Sequence, residues 1–239
     1  MPAIETLSYG GVEMCGRFTL RHPSRLKFDH FNRSPSLPLV PRYNIAPSQN
    51  IVAILQRRDE REAALMQWGL IPSWSKDAKG FINARSETIT GKPSFSESFQ
   101  TRRCLIPADG FYEWQRSGKI AQPYYFQLRE EMPFTFAGIW DEWSNGEQTI
   151  TSCAIITTSA NELLATIHDR MPVILPAESH DEWLNDEVSS VKLESLLMPF
   201  PAREMIRHAV SYDVNHTKID DEHLVLPVEP NIGVTLSLF

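Results

Sequence analysis

Cysteine is scarce in this chain. Its 239 residues hold three, Cys15, Cys104 and Cys153, an odd number with no CxxC pair. That excludes a disulfide framework and a cysteine-based structural zinc site, and fits a reducing, cytoplasmic setting. The seven histidines show no metal-ligand spacing, so neither a metal nor another cofactor is expected. No apolar run approaches the ~18 residues of a membrane span, so no membrane partner is expected. Residues 1–13 lack a basic start and an apolar core, which excludes a signal peptide. Internal repeats, low-complexity tracts and linkers are also missing. Nor is there an excess of positive charge. The net charge of −7 argues against a protein that coats nucleic acid non-specifically. The charge is uneven, however. Residues 1–120 carry 17 Lys/Arg against 11 Asp/Glu, a balance of +6, and residues 121–239 carry 6 against 19, a balance of −13. The basic half can present a local phosphate-binding surface on an acidic body; uneven decoration of a solvated surface is the plainer alternative.

What is present is an ordinary globular composition, 42% hydrophobic and 22% charged. A chain of this length buries roughly 70–75% of its unfolded surface and needs no staples. Strand patterns are expected at 17–20, 51–56, 64–70, 104–107, 111–115, 124–128, 134–140, 153–158 and 171–175, where aromatic and β-branched residues alternate between Gly, Asp and Pro punctuation. Weaker helical spacing occurs at 23–33 (Leu26, Phe28, Phe31). Ser159 with Glu162 three residues on is a capping-box pattern that opens a short helix ending near His168. Two more helices are expected at 177–186 and 190–198. Three prolines between Pro35 and Pro41 make an extended loop, and 71–101 reads as a long loop rich in special residues. The fold class is α+β, one domain over 14–239 around a large bent, mostly antiparallel sheet with a few short helices. Residues 1–13 form an N-terminal extension or an unused start.

Several residues can carry chemistry. Cys15 directly follows Met14, and removal of Met14 as an initiator would leave a free α-amine beside a thiol. Such an amine has a pKa of roughly 7.7–8.0, so part of it is neutral and nucleophilic at pH 7. A 1,2-aminothiol condenses with an aldehyde to an imine and closes through sulfur to a thiazolidine, which an internal cysteine cannot do. Glu113 sits between aromatics in Phe111-Tyr112-Glu113-Trp114, where desolvation would raise its pKa and suit it to proton transfer; a solvent-facing strand glutamate is the alternative. His168, beside Asp169, suits acid–base work at neutral pH, although a helix C-terminus favours histidine by its dipole alone. Asn83 can position a small group and Arg85 can hold a phosphate, unless Arg85 simply pairs with Glu87. Trp68, Trp74 and Tyr43 offer faces for stacking unpaired bases or belong to the core. Cys104 and Cys153 read as small buried hydrophobes, and His180 as a surface residue in the first turn of a helix.

Six motifs taken in order resemble the SOS-response-associated peptidase (SRAP) family, whose members process abasic sites in DNA. They are Met14-Cys15-Gly16-Arg17-Phe18, Arg42-Tyr43-Asn44-Ile45-Ala46-Pro47, Trp68-Gly69-Leu70-Ile71-Pro72, Ile82-Asn83-Ala84-Arg85-Ser86-Glu87, Asp109-Gly110-Phe111-Tyr112-Glu113-Trp114 and Ile167-His168-Asp169-Arg170-Met171-Pro172. The similarity runs from Met14 to about Pro230. It implies that the mature chain begins at Cys15, whose amine and thiol capture the ring-opened aldehyde of an abasic site in single-stranded DNA as a thiazolidine. Asn83 would orient the cysteine and the sugar, Glu113 would move protons during ring opening and imine formation, and His168 would assist at the imine and in reversal or strand scission. Arg17, Arg42, Asn44, Pro47, Trp74 and Arg85 would form the DNA-binding set, with Arg17 and Arg85 on phosphates and Trp74 and Pro47 at the wedge where bases unstack. The resemblance implies the family's own α+β fold and single-stranded DNA with abasic sites as partner. A monomer without metal is expected, cytoplasmic and held at the bacterial nucleoid when bound to damaged DNA.

In the chain as written, thirteen residues precede Met14 and the amine of Cys15 is an amide. Either translation begins at Met14 and the methionine is removed, or the chain cuts itself before Cys15 with the thiol as nucleophile. The first is favoured because residues 1–13 carry no processing signal. Two rival functions remain: a thiol peptidase acting through Cys15 and His168, and a non-catalytic binder of modified or single-stranded DNA.

Overall fold

A computed structural model describes residues 16–26, 31–32, 39–57, 60–117 and 120–230, with 31, 32, 117 and 120 as main chain only. Met14, Cys15 and the extension 1–13 lie outside the described residues, as does most of the proline-rich loop. Fourteen strands are present among those described: β1 (Arg17–Leu20), β2 (Phe31–Asn32), β3 (Arg42–Ile45), β4 (Asn50–Arg57), β5 (Glu60–Trp68), β6 (Asn83–Arg85), β7 (Arg103–Ala108), β8 (Gly110–Ser117), β9 (Ile120–Leu128), β10 (Phe134–Ser144), β11 (Thr149–Ser159), β12 (Arg170–Pro172), β13 (Ile174–Leu175) and β14 (Met205–Ala209). Three short helices accompany them: α1 (Ser96–Thr101), α2 (His180–Leu184) and α3 (Ser190–Ser195).

The larger sheet runs β11-β10-β7-β4-β5 through antiparallel neighbours. A parallel pairing of Ser152 and Cys153 on β11 with Gln67 and Trp68 on β5 then closes it on itself. Closure removes the exposed edges that an open sheet of this size would present. Strand alternation fills the two faces. Cys104, Ile106, Phe134, Phe136, Cys153 and Ile155 share an inner cluster. Leu105, Ala137, Ile139, Ala154 and Ile156 share an outer one with Phe99 of α1, Trp183 of α2 and Leu193 of α3.

A second, five-stranded sheet runs β14-β9-β8-β1-β3. One face sends Phe18, Phe111 and Phe126 into the inner cluster. The other packs Tyr112 and Tyr125 against Val210, Val214 and Leu224 of the C-terminal segment. The fold is thus one α+β domain of bent, mostly antiparallel sheet, as the sequence leads one to expect, and the sheet closes into a barrel.

Several local expectations fail. Residues 23–33 hold no helix among those described. Pro23–Arg25 is a single 3-10 turn, and Phe31–Asn32 pairs in parallel with Arg61–Glu62 of β5. The capping box at Ser159 does not form, because Ser159 is still in β11, paired with Arg170. Asn161 takes the role instead, its side-chain oxygen accepting from the amides of Leu163 and Leu164 at 3.1 and 3.0 Å. Residues 162–167 form a run of turns rather than a helix. The loop 71–101 contains β6, a 3-10 turn at Ser86–Thr88 and α1. Trp68 is fully buried and belongs to the core rather than to a stacking surface. His180 is also buried, bonded to Thr135 Oγ1 at 2.8 Å, and burial lowers its pKa.

Candidate functional site

Phe18 is the hub from which the site is built. It lies opposite Phe111 in the β1–β8 ladder, and its ring meets Trp68 edge-on at 5.2 Å and Phe136 at 5.7 Å. Two residues along β8 from Phe111, on the same face, stands Glu113, only 2% exposed. The same antiparallel register, continued by one step, sets Glu113 opposite Gly16, the residue next to Cys15 in the chain. On the other side of Phe18, Trp68 donates its indole N–H to Ile82 O at 2.9 Å, immediately before Asn83. Asn83 opens β6, which runs parallel to β11 with Asn83 beside Ile155 and Arg85 beside Thr157. The start of β1, Glu113 and Asn83 are therefore joined through a few buried aromatic contacts.

His168 comes from the turn between β11 and β12. That turn is tied to β11 by Arg170, which donates to Thr157 O at 2.8 Å and forms a two-pronged ion pair with Glu87, just after β6. The hydrogen bonds from Arg170 pull the Glu87 carboxyl below the usual glutamate range, against a weaker opposing effect of burial. Arg85 does not pair with Glu87; it is exposed, with no ion pair among the described residues. The His168 side chain is 12% exposed and its Nδ1 has two neighbours, the Arg170 amide at 3.1 Å and an Asp169 oxygen at 3.0 Å. One nitrogen cannot accept from the first and donate to the second together. The backbone amide is fixed, whereas the Asp169 side chain is 88% exposed. The neutral ring accordingly accepts at Nδ1 and carries its hydrogen on Nε2. A protonated ring would turn its Nδ1–H to Asp169. Because no helix precedes His168, no helix dipole explains its placement.

The expected DNA-binding residues divide into two groups. Trp74 is 61% exposed, on a loop whose neck is closed by paired bonds between Leu70 and Phe81 at 2.8 and 2.9 Å. That neck requires Gly69 at φ 135° and Gly80, whose added Cβ would come within 2.2 Å of Gly69 O. Pro47 is half-buried in the turn after β3. Arg17 turns towards the C-terminal segment, donating to Asn44 Oδ1 at 2.9 Å and to the carbonyl of Val214, and its burial lowers its pKa. Arg42 is ion-paired with Asp220 and donates to Gln49 at 2.6 Å. Asn44, expected among the DNA contacts, is instead 0% exposed and donates to the carbonyls of Val214, His216 and Ile219, so its side chain pins the C-terminal segment.

Some residues that shape the site give no sign of it in the sequence. Asp109, fully buried, accepts from Thr19 Oγ1 at 2.6 Å and from the amides of Arg21 and His22, locking the end of β1 to the turn before β8. Gln115 and Arg207 contact the turn that carries His168. Gln115 shares the strand face of Glu113, which alternation alone marks; for Arg207 no local pattern exists. Among the described residues no group of three His, Cys, Asp or Glu is placed to hold a metal ion.

A family model described as SOS response associated peptidase (SRAP) matches residues 14–217. The chain belongs to this family. The SRAP match begins at Met14, one residue before the cysteine. Its relatives include the abasic site processing protein YoqW of Bacillus subtilis, 43% identical over 221 residues, spanning 89% of this chain and 99% of that protein. The abasic site processing protein HMCES of Xenopus tropicalis is 35% identical over 213 residues, covering 74% of this chain and 63% of that protein. Among solved structures, a Bacteroides thetaiotaomicron protein superposes with a TM-score of 0.71 at 30% identity, over 80% of this chain and 88% of its own. This superposition shows that the two chains share a fold.

Proposed function

We propose that this chain captures abasic sites in single-stranded DNA through Cys15, once Cys15 is the first residue. The observation that supports it most is Glu113, a carboxyl 2% exposed, on the strand that pairs with the chain just after Cys15. Relatives named abasic site processing proteins, at 43% and 35% identity, support the same reading.

The Cys15 amine adds to the C1 aldehyde of the ring-opened sugar and loses water to give an imine. The thiol then adds to the imine carbon, its proton passing to nitrogen, and closes the thiazolidine. Glu113 moves protons during sugar opening and dehydration, and Asn83 orients the reacting groups. His168, with its exchangeable proton on Nε2, serves the imine and its alternative fate, proton loss from the sugar with scission of the strand. Arg85 and the aromatic face of Trp74 supply phosphate and base contacts. Self-removal of residues 1–14 by the thiol is the route to maturation if translation starts at Met1.

The test uses protein beginning at Cys15, incubated with abasic single-stranded DNA and resolved on a denaturing gel. A covalent adduct lost in Cys15→Ala is expected. No adduct from that protein, or an adduct that survives Cys15→Ala, overturns the reading.

A further inference from the structure

The two groups assigned to proton transfer come from different parts of the fold. Glu113 belongs to the five-stranded sheet, and His168 to a turn between two strands of the barrel. That turn has no helix to stiffen it, yet two side chains from the sheet hold it. Gln115, two residues after Glu113 on the same face of β8, donates from Nε2 to Thr166 O at 3.2 Å. Arg207 of β14 donates from Nη1 to Leu163 O at 3.1 Å and to the Thr166 hydroxyl. Its guanidinium lies over the Tyr124 ring, 5.3 Å from the centroid, and Tyr124 is the cross-strand partner of Glu113. Thr166 Oγ1 in turn donates to Leu163 O at 3.2 Å, so all three contacts converge on one short stretch ending two residues before His168.

We propose that Arg207, with Gln115, is a positioning residue that sets His168 against Glu113. This rests on the proposed function. The guanidinium is suited to the task. Stacked on Tyr124 it is fixed by the same strand pair that holds Glu113, and its Nη1 donates to the turn in the plane of the group. Loss of the clamp lets the turn shift relative to the sheet, and a shift of about 1 Å at a catalytic group is worth on the order of 10²-fold in rate. The contacts of the Arg207 guanidinium are with the turn and Tyr124, so its role in this proposal is on rate and not on affinity.

The experiment compares Arg207→Ala, Arg207→Lys and Gln115→Leu in protein beginning at Cys15. Affinity is read with DNA carrying an unreactive tetrahydrofuran abasic analogue, and adduct formation and strand scission with true abasic DNA at saturating protein. Arg207→Ala is expected to slow the steps that His168→Ala slows, by on the order of 10- to 100-fold, with affinity unchanged. Arg207→Lys, which keeps the charge and a single donor nitrogen without the planar fork, should recover part of the rate. In a His168→Ala background Arg207→Ala should add nothing. Wild-type rates in Arg207→Ala and Gln115→Leu, an equal loss in both backgrounds, or a loss confined to affinity would overturn the inference while leaving the capture reaction standing. Absence of any adduct from the wild-type chain overturns the proposed function and the inference with it.

Discussion

Asn44 and Glu113 are both buried polar side chains, yet their surroundings assign them opposite work. Asn44 spends its whole amide on four internal partners: the Arg17 guanidinium and three carbonyls of the C-terminal segment. Truncation strands those groups, and a buried polar group left without its partner costs about 1–3 kcal/mol. Asn44→Ala is therefore expected to lower the unfolding free energy by roughly 2–4 kcal/mol in a urea titration. Affinity for single-stranded DNA, measured where the variant remains folded, should not change. Glu113 sits on the inner side of its sheet beside the start of β1. Glu113→Gln keeps the shape but cannot trade a proton. Adduct formation should slow by about 10²–10⁴-fold, the usual worth of general acid–base catalysis, while binding to the tetrahydrofuran analogue persists. A variant that forms adduct at the wild-type rate would remove Glu113 from the chemistry.

At the scale of elements, the longer strands were legible. Runs such as Phe134 to Trp140 carry their own signal, because a continuous apolar, aromatic and β-branched stretch suits a strand buried on both faces. The short elements were not. β6 is three residues long and is a strand only because β11 lies beside it. The spacing of Leu26, Phe28 and Phe31 suits a helix locally, but Phe31 and Asn32 pair with Arg61 and Glu62. The acid–base candidates and Asn83 were legible as residue types, and their assembly was not, since Gln115, Thr166 and Arg207 are brought together only by tertiary contact. Another such contact joins the 3-10 turns Tyr212–Asn215 and Glu222–Val225 of the C-terminal segment, where His223 lies between Asp221 and Asp213. The hydrogen bond with Asp221 raises the His223 pKa above its ordinary 6.5, and Ser211 and His223 lower Asp213 below 3.8. A raised imidazole stabilises fully below 6.5 and loses that contribution as pH rises through its folded value. A depressed carboxylate stabilises above 3.8 and loses its contribution as pH falls. The clasp is complete between those two limits. Amide exchange at Val214 and Leu224, corrected for intrinsic rates, should accelerate on going from mildly acid to alkaline buffer, and His223→Ala should abolish that dependence. These groups are exposed, so the effect is local, and global stability should move little.

For the whole molecule, closure of the barrel decides the fate of the remaining thiols. Cys104 on β7 and Cys153 on β11 are both fully buried within the inner cluster. Burial pushes both thiols far above their ordinary pKa, and for Cys104 the neighbouring Cys153 adds to the effect. The thiolate is the reactive species, so neither cysteine can compete for an aldehyde or an alkylating agent while the barrel is closed. Iodoacetamide added to native protein should therefore leave Cys104 and Cys153 unmodified. Both should react together, and only at denaturant concentrations where the molecule unfolds as a unit, because β7 and β11 each lie between hydrogen-bonded neighbours in the closed sheet. Mass mapping of the alkylated peptides against urea concentration measures this directly. Labelling of Cys153 ahead of Cys104 in native buffer would show that the β5–β11 seam, where Cys153 pairs with Trp68, opens locally. Joint labelling at the unfolding midpoint would establish the barrel as one cooperative body. The same result would leave Cys15 as the one cysteine whose reactivity in the folded protein can serve capture of an aldehyde.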